Sequence, residues 1–185
     1  MNILQISFHT APMNSLGVND GGGLNVYVES ISKELAKDNI VHIITGEQAK
    51  NMSKKNLKLS SFNLFTNQAN TEEKKEFLDE FIEKTFQYIE EHEIDVVHAH
   101  YWLSGLVAKE IKQRYKLPFI FTSHSLGVFI QENGLDRISA EKEIFNSADK
   151  ITASSQFEKE NLLNRYGADK LKIHIVTPGL DKKTF

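Results

Sequence analysis

The 185-residue sequence contains no cysteine, which excludes a disulfide framework and any thiolate metal site. It contains no apolar run near the ~20 residues needed to span a bilayer. Its start, Met1-Asn-Ile-Leu-Gln-Ile-Ser7, has neither the basic head nor the long apolar core of a signal peptide. These absences point to a cytoplasmic protein. An excess of one charge is lacking too: 22 Lys and Arg against 25 Asp and Glu leave a formal net charge of −3. That balance gives no electrostatic reason to expect nucleic acid or an anionic membrane as partner. A local patch that binds a small phosphate ester remains compatible with it.

What is present is an ordinary globular mix, 40% hydrophobic and 25% charged, long enough for one well-buried domain and too short for two. Short β-branched apolar runs alternate with longer amphipathic segments. The runs are Ile3–Phe8, Ile40–Thr45, Ile94–His100, Pro118–Thr122, Lys150–Ser154 and Lys172–Thr177. Their nearly continuous apolar character predicts strands buried on both faces. Leu24–Lys37, Glu72–Glu91, Leu103–Tyr115, Arg137–Ala148 and Gln156–Tyr166 repeat apolar residues at three- and four-residue spacing, as helices with one buried face do. Within Asn51–Asn70, Leu57–Phe62 could form a further strand. The alternation predicts an α/β fold: a Rossmann-like, doubly wound parallel sheet.

In such sheets ligands bind outside the carboxyl ends of the strands. Three stretches at those positions gather Gly, His, Asn and aromatic residues. In Asp20-Gly-Gly-Gly-Leu-Asn-Val-Tyr-Val28, glycines run straight into a helix whose N–H groups and dipole favour phosphate; the alternative is a turn that only reverses the chain. Asn25 is either a ligand contact or a helix cap. In His98-Ala-His-Tyr-Trp-Leu-Ser-Gly105, alternation puts His98 and His100 on one face. No third ligand stands at metal spacing, so no metal site is expected, and His98 is expected to bond a neighbouring carbonyl. Tyr101 and Trp102 either wall a sugar pocket or seal strand to helix. In Phe121-Thr-Ser-His-Ser-Leu-Gly127, no nucleophile elbow appears; His124 is a ligand-facing hydrogen-bonding group or a structural histidine. Lys74, Lys75 and Arg137 open predicted helices, where their charge opposes the dipole. Each is an anion contact or a solvated surface charge.

Together these segments resemble the N-terminal domain of retaining glycosyltransferases of the GT-B type, the family of sucrose-phosphate synthase, sucrose synthase and the inositol-phosphate N-acetylglucosaminyltransferase of mycothiol synthesis. The match runs through Ser7–Pro12, Asp20–Val28, Asp95–Gly105, His124–Gly127, Arg137–Glu141, Ala148–Ile151 and Pro178–Asp181. The resemblance implies two Rossmann-like domains facing a cleft. Residues 1–177 would be the acceptor-side domain, and Pro178–Phe185 the start of the connection to a donor-binding domain.

The resemblance also implies transfer from a nucleotide-sugar such as a UDP-sugar to a small sugar or sugar-phosphate, with no further cofactor. Gly22 and Gly23 match glycines facing the donor diphosphate. His124 matches the histidine beside the donor sugar and the reacting oxygen. His9, Asp20, Asn25, Tyr101 and Ser125 match acceptor-side positions, and Lys74 and Arg137 match residues gripping the acceptor phosphate. Phosphosugar-using members carry an Arg pair where this sequence has Asp136-Arg137. The chain alone is expected to be inactive, since the donor's base and ribose contacts belong to the other domain. Two rival readings are a dinucleotide-binding oxidoreductase domain, with Glu47 as the ribose-binding acid, and a non-catalytic sugar-binding module.

Overall fold

The computed structural model describes residues 1–13, 22–130 and 134–179. The predicted alternation is observed: β1 (Asn2–Ile6), α1 (Gly23–Leu35), β2 (Ile40–Glu47), β3 (Met52–Lys54) and β4 (Leu57–Phe65) lead to α2 (Thr71–Lys75) and α3 (Leu78–Glu91). Then follow β5 (Val96–His100), α4 (Trp102–Tyr115), β6 (Phe119–Thr122), a short 3-10 turn over Gly127–Phe129 and α5 (Gly134–Ser147). The last elements are β7 (Lys150–Ala153), α6 (Gln156–Tyr166) and β8 (Ile173–Ile175). One sheet holds all eight strands in the order β3-β4-β2-β1-β5-β6-β7-β8. Every pairing is parallel except the β3–β4 hairpin, which accounts for the stretch 51–70 that periodicity left ambiguous.

The sheet alternation divides the core. Leu4, Ile6, Ile44, Val97, Ala99, Phe119 and Phe121 pack with residues of α3, α4 and α5 in the larger cluster. Ile3, Val41, Ile43, Leu57 and Leu59 form a second cluster against the end of α1. Gly105 is where α4 comes closest to the strands: an added Cβ would stand 2.8 Å from both Phe121 and Ile144 side-chain atoms. A larger residue there would force those side chains off their packing.

Two expectations are corrected. The predicted helix over Glu72–Glu91 is two helices, because Phe77 leaves helical geometry with φ −95° and ψ 4°. The turn lets Phe77 stack toward Phe65, ring centroids 6.0 Å apart; three- and four-residue periodicity runs through such a break unseen. Lys74 and Lys75 therefore lie in the last turn of α2, where a cation suits the dipole rather than opposing it. Asn70 caps that helix with a full capping box to Glu73.

Candidate active site

Sheet order reverses direction between β1 and β5, since β2 lies on one side of β1 and β5–β8 on the other. The segments leaving β1, β5 and β6 meet above this switch point, the ligand crevice of doubly wound sheets. Alternation directs Gln5, His98, His100 and Thr122 to the same face, Gln5 pairing in register with His98 and His100 with Thr122. The result is a polar seam in an otherwise apolar sheet. His98 and His100 sit ring to ring at 4.0 Å. His98 Nε2 bonds the Thr122 hydroxyl at 2.8 Å, a side-chain partner rather than the backbone carbonyl expected. Among the described residues there is no group of three His, Cys, Asp or Glu that could hold a metal ion.

His100 links upward to His124, Nδ1 to Nε2 at 3.0 Å, and downward to Gln5 Oε1 at 2.6 Å. Tyr27 of α1 sets its ring edge-on to both histidines, at 5.9 and 5.0 Å. On the other side of the cleft His9 lies against Tyr101, centroids 4.4 Å apart. Burial lowers every one of these histidines: His9 and His98 to about 3, His124 to about 4, His100 well below the ordinary imidazole value. Lys74, His124 and Arg137 push His9 down further. All are neutral at pH 7, so each ring offers one donor and one acceptor.

Two site residues carry left-handed backbone. Tyr101 has φ 73° and ψ 157°, and His124 has φ 60°. A non-glycine residue at such a φ costs about 1–3 kcal/mol and is held by its surroundings. For Tyr101 the surroundings are visible: its N–H donates to Thr122 O at 3.0 Å, and its hydroxyl accepts from Arg137.

Arg137 is 7% exposed and fully employed. It donates from Nε to Glu141 at 2.7 Å, from one terminal nitrogen to Tyr101 at 3.2 Å, and from the other to Ser125 O and Oγ at 2.8 and 3.0 Å. Its guanidinium also lies 4.8 Å from the Tyr101 ring centroid. The predicted dipole misfit is thus relieved from within, by Glu141 one turn later. Glu141, with no exposure, also accepts the Gly127 N–H at 2.9 Å and the Tyr166 hydroxyl. Ser125 and Tyr101 join the site through this bracket. Lys74 is buried too, its ammonium 5.5 Å from the Phe65 ring centroid.

At α1, Gly22 occupies the cap position and Gly23 the first turn; no side chain caps the helix and no acidic residue stands in its first turn. Neither glycine has positive φ, and a Cβ on Gly23 would meet nothing within 4 Å. A turn that demands glycine is therefore not the reason for Gly23. Asn25 is not the cap: its Oδ1 is buried without a partner. Asp20 lies outside the described residues.

Residues 21–184 match Glycosyltransferase Family 4. The chain belongs to that family. It is 31% identical over 201 residues to the D-inositol 3-phosphate glycosyltransferase of Frankia alni, covering 96% of this chain and 48% of that protein. Sucrose-phosphate synthase from Thermosynechococcus elongatus superposes on all of this chain and 49% of its own, with TM-score 0.88 and 26% identity. The Anabaena HepE protein solved with UDP-glucose shares the fold at TM-score 0.67 and 15% identity, over 98% of this chain and 44% of its own. The family 4 chain described here thus spans about half the length of the relatives it matches, and its fold is the α/β half of a GT-B glycosyltransferase.

Several residues that build this family 4 site were not singled out from sequence. Gln5 carried a usable signal, a carboxamide inside an otherwise apolar strand. The Arg137–Glu141 spacing of four on a helix was another. Ser123 and Ser154 both donate to Glu158, joining the ends of β6 and β7; nothing in the pattern foretold that. Glu47, the acid of the oxidoreductase reading, instead accepts the Ala11 N–H at 3.0 Å and is buried. It clamps the first loop, and no finding supports that reading.

Proposed function

We propose that this chain is the acceptor-side domain, residues 1–177, of a retaining glycosyltransferase that moves a sugar from a UDP-sugar to a small phosphorylated sugar or cyclitol. The observation that carries the reading is the convergence of His9, Tyr101 and His124 at the switch point, beside the uncapped start of α1. Gly22 and Gly23 present backbone N–H groups to the donor diphosphate. His124 lies beside the reacting hydroxyl, accepting its hydrogen bond while the bond to the nucleotide breaks on the same face. Rate enhancement here comes from positioning and electrostatic stabilisation.

For the acceptor, the name of the Frankia relative supports inositol 3-phosphate as the first candidate. After burial, the charges of Lys74 and Arg137 lower the pKa of His9, which supports an anionic group held beside it. Because Glu141 already partners Arg137, the role of Arg137 toward phosphate is mainly to orient Ser125 and Tyr101. Asn25 and His9 complete the acceptor contacts, with Asp20 assigned there by resemblance alone. The residues from Pro178 onward lead to the donor-binding domain, and the protein works in the cytoplasm, where UDP-sugars are made.

Calorimetric titration of the chain with inositol 3-phosphate, fructose 6-phosphate and their unphosphorylated forms tests the acceptor class. Binding should require the phosphate, weaken with salt and fall at least tenfold in Lys74→Ala, a charge-assisted contact being worth ~1.5–3 kcal/mol. Equal affinity for plain and phosphorylated sugars would refute it. In a polypeptide carrying both halves, His124→Ala should lower kcat while sparing donor affinity, by a barrier of ~2–4 kcal/mol. An unchanged kcat would make His124 structural.

A further inference from the structure

We infer that Gln5 and His100 are positioning residues that lock the ring plane and tautomer of His124, leaving its Nδ1 as the one lone pair offered to a ligand. The inference rests on His124 facing substrate, as proposed above. Its geometry is independent of that proposal. Gln5 faces His100 with Oε1, an atom that can only accept, so the 2.6 Å contact puts the His100 proton on Nε2. A neutral ring then has a bare Nδ1. That atom stands 3.0 Å from His124 Nε2, which must therefore supply the proton of the bond.

Both histidines are kept neutral by burial, so the direction of donation is not scrambled by a second ring proton. Among the described residues no hydrogen bond is made to the remaining nitrogen of His124, Nδ1, and it is not among the buried unpartnered atoms, so it is the nitrogen left for a ligand. Gln5 Nε2 has no partner at all, so the single hydrogen bond of this buried carboxamide is the one to His100. Tyr27 holds both rings edge-on, and His98 packs on His100 in a tilted contact. The left-handed φ of His124 is the backbone counterpart of the same arrangement, aiming the ring back at the sheet.

The test is nitrogen NMR on the 15N-labelled 185-residue chain at neutral pH. A through-hydrogen-bond 15N–15N coupling should join His124 Nε2 to His100 Nδ1, with the proton on the His124 side and His100 protonated at Nε2. In Gln5→Leu the His100 tautomer ratio should fall about 2- to 10-fold, the worth of one lost hydrogen bond. If that variant does not fold, the coupling and the proton positions of the native chain decide the inference by themselves. No coupling in the native chain, a proton on His100 Nδ1, or a ratio indifferent to Gln5→Leu would overturn the inference. The coupling found while a polypeptide carrying both halves transfers no sugar would refute the functional proposal and leave the lock standing. Transfer without the coupling would do the reverse.

Discussion

Two sides of the cleft differ in how their buried polar atoms are treated. On the β6–α5 side, Glu141 takes bonds from Arg137, Gly127 and Tyr166, and the Tyr166 hydroxyl accepts the Val128 N–H at 3.2 Å. On the β1–α1–β5 side, Gln5 Nε2, His9 Nδ1, Thr10 Oγ1, Asn25 Oδ1 and Trp102 Nε1 are buried with no partner. Folded proteins leave few such atoms. Among the described residues these, with Ser32 Oγ farther along α1, are the ones found, so their gathering on β1, α1 and the segments beside them asks for an explanation. The first side is a closed bracket whose polar groups satisfy each other. The second side is a half-finished network, and a polar ligand is what would finish it. The difference separates stability from binding: substitutions in the bracket should unfold the chain, and substitutions on the unfinished side should weaken binding.

Acid is the most forceful way to break the unfinished side. His9, His98 and His100, together with His124 after β6 and His42 on β2, all have folded values below the ordinary imidazole value. As pH falls, the unfolded chain takes up protons near 6.5 while the folded chain resists until about 3–4. Stability is therefore complete above neutrality and is lost as pH drops through 6 and 5, by up to ~1.4 kcal/mol per pH unit for each histidine. The melting temperature should therefore fall progressively between pH 7 and pH 4. Circular dichroism melts from pH 8 to 4 would check this. A Tm flat down to pH 5 would mean that these imidazoles titrate freely.

The bracket should fail next. Removing the carboxylate in Glu141→Ala leaves Arg137 buried with its charge uncompensated, a loss of ~3–5 kcal/mol. Double substitution to a well-packed apolar pair, Arg137→Met with Glu141→Leu, should recover much of it, since a buried ion pair adds little net stability over such a pair. Urea denaturation of the three proteins measures both. Full recovery would confirm that Arg137 serves Glu141 first, whereas single and double variants of equal stability would place the effect in packing instead.

The same contrast explains what could be read from sequence. Strands, helices and the three strand-end stretches were legible because burial periodicity and glycine placement are local properties. The break at Phe77 was not, since it depends on Phe65 lying opposite. Lys74 and Arg137 are buried rather than solvated, but helix dipoles do not explain them: Lys74 ends a helix, and Arg137 has Glu141. Gln5 reaches His100 across 95 positions, and no spacing rule connects residues on two strands before their register is known.

The smallest expected effect is also the sharpest test of the comparison. Asn25 stands in the first turn of α1 with Oδ1 buried, unpartnered and not capping. Asn25→Ala removes an acceptor that folding desolvated for nothing, and alanine suits a helix better than asparagine by up to ~0.7 kcal/mol. The melting temperature should therefore hold or rise, a stability change between about 0 and +1 kcal/mol. Affinity for a phosphorylated sugar or cyclitol should fall ~2- to 10-fold, because the lost atom is one that only a ligand hydroxyl satisfies. Paired calorimetry and thermal melts on one variant read both quantities. A domain destabilised by more than ~1 kcal/mol with ligand affinity untouched would mean that Asn25 belongs to the bracket's kind of residue. The unpartnered atoms around the first loop would then say nothing about binding.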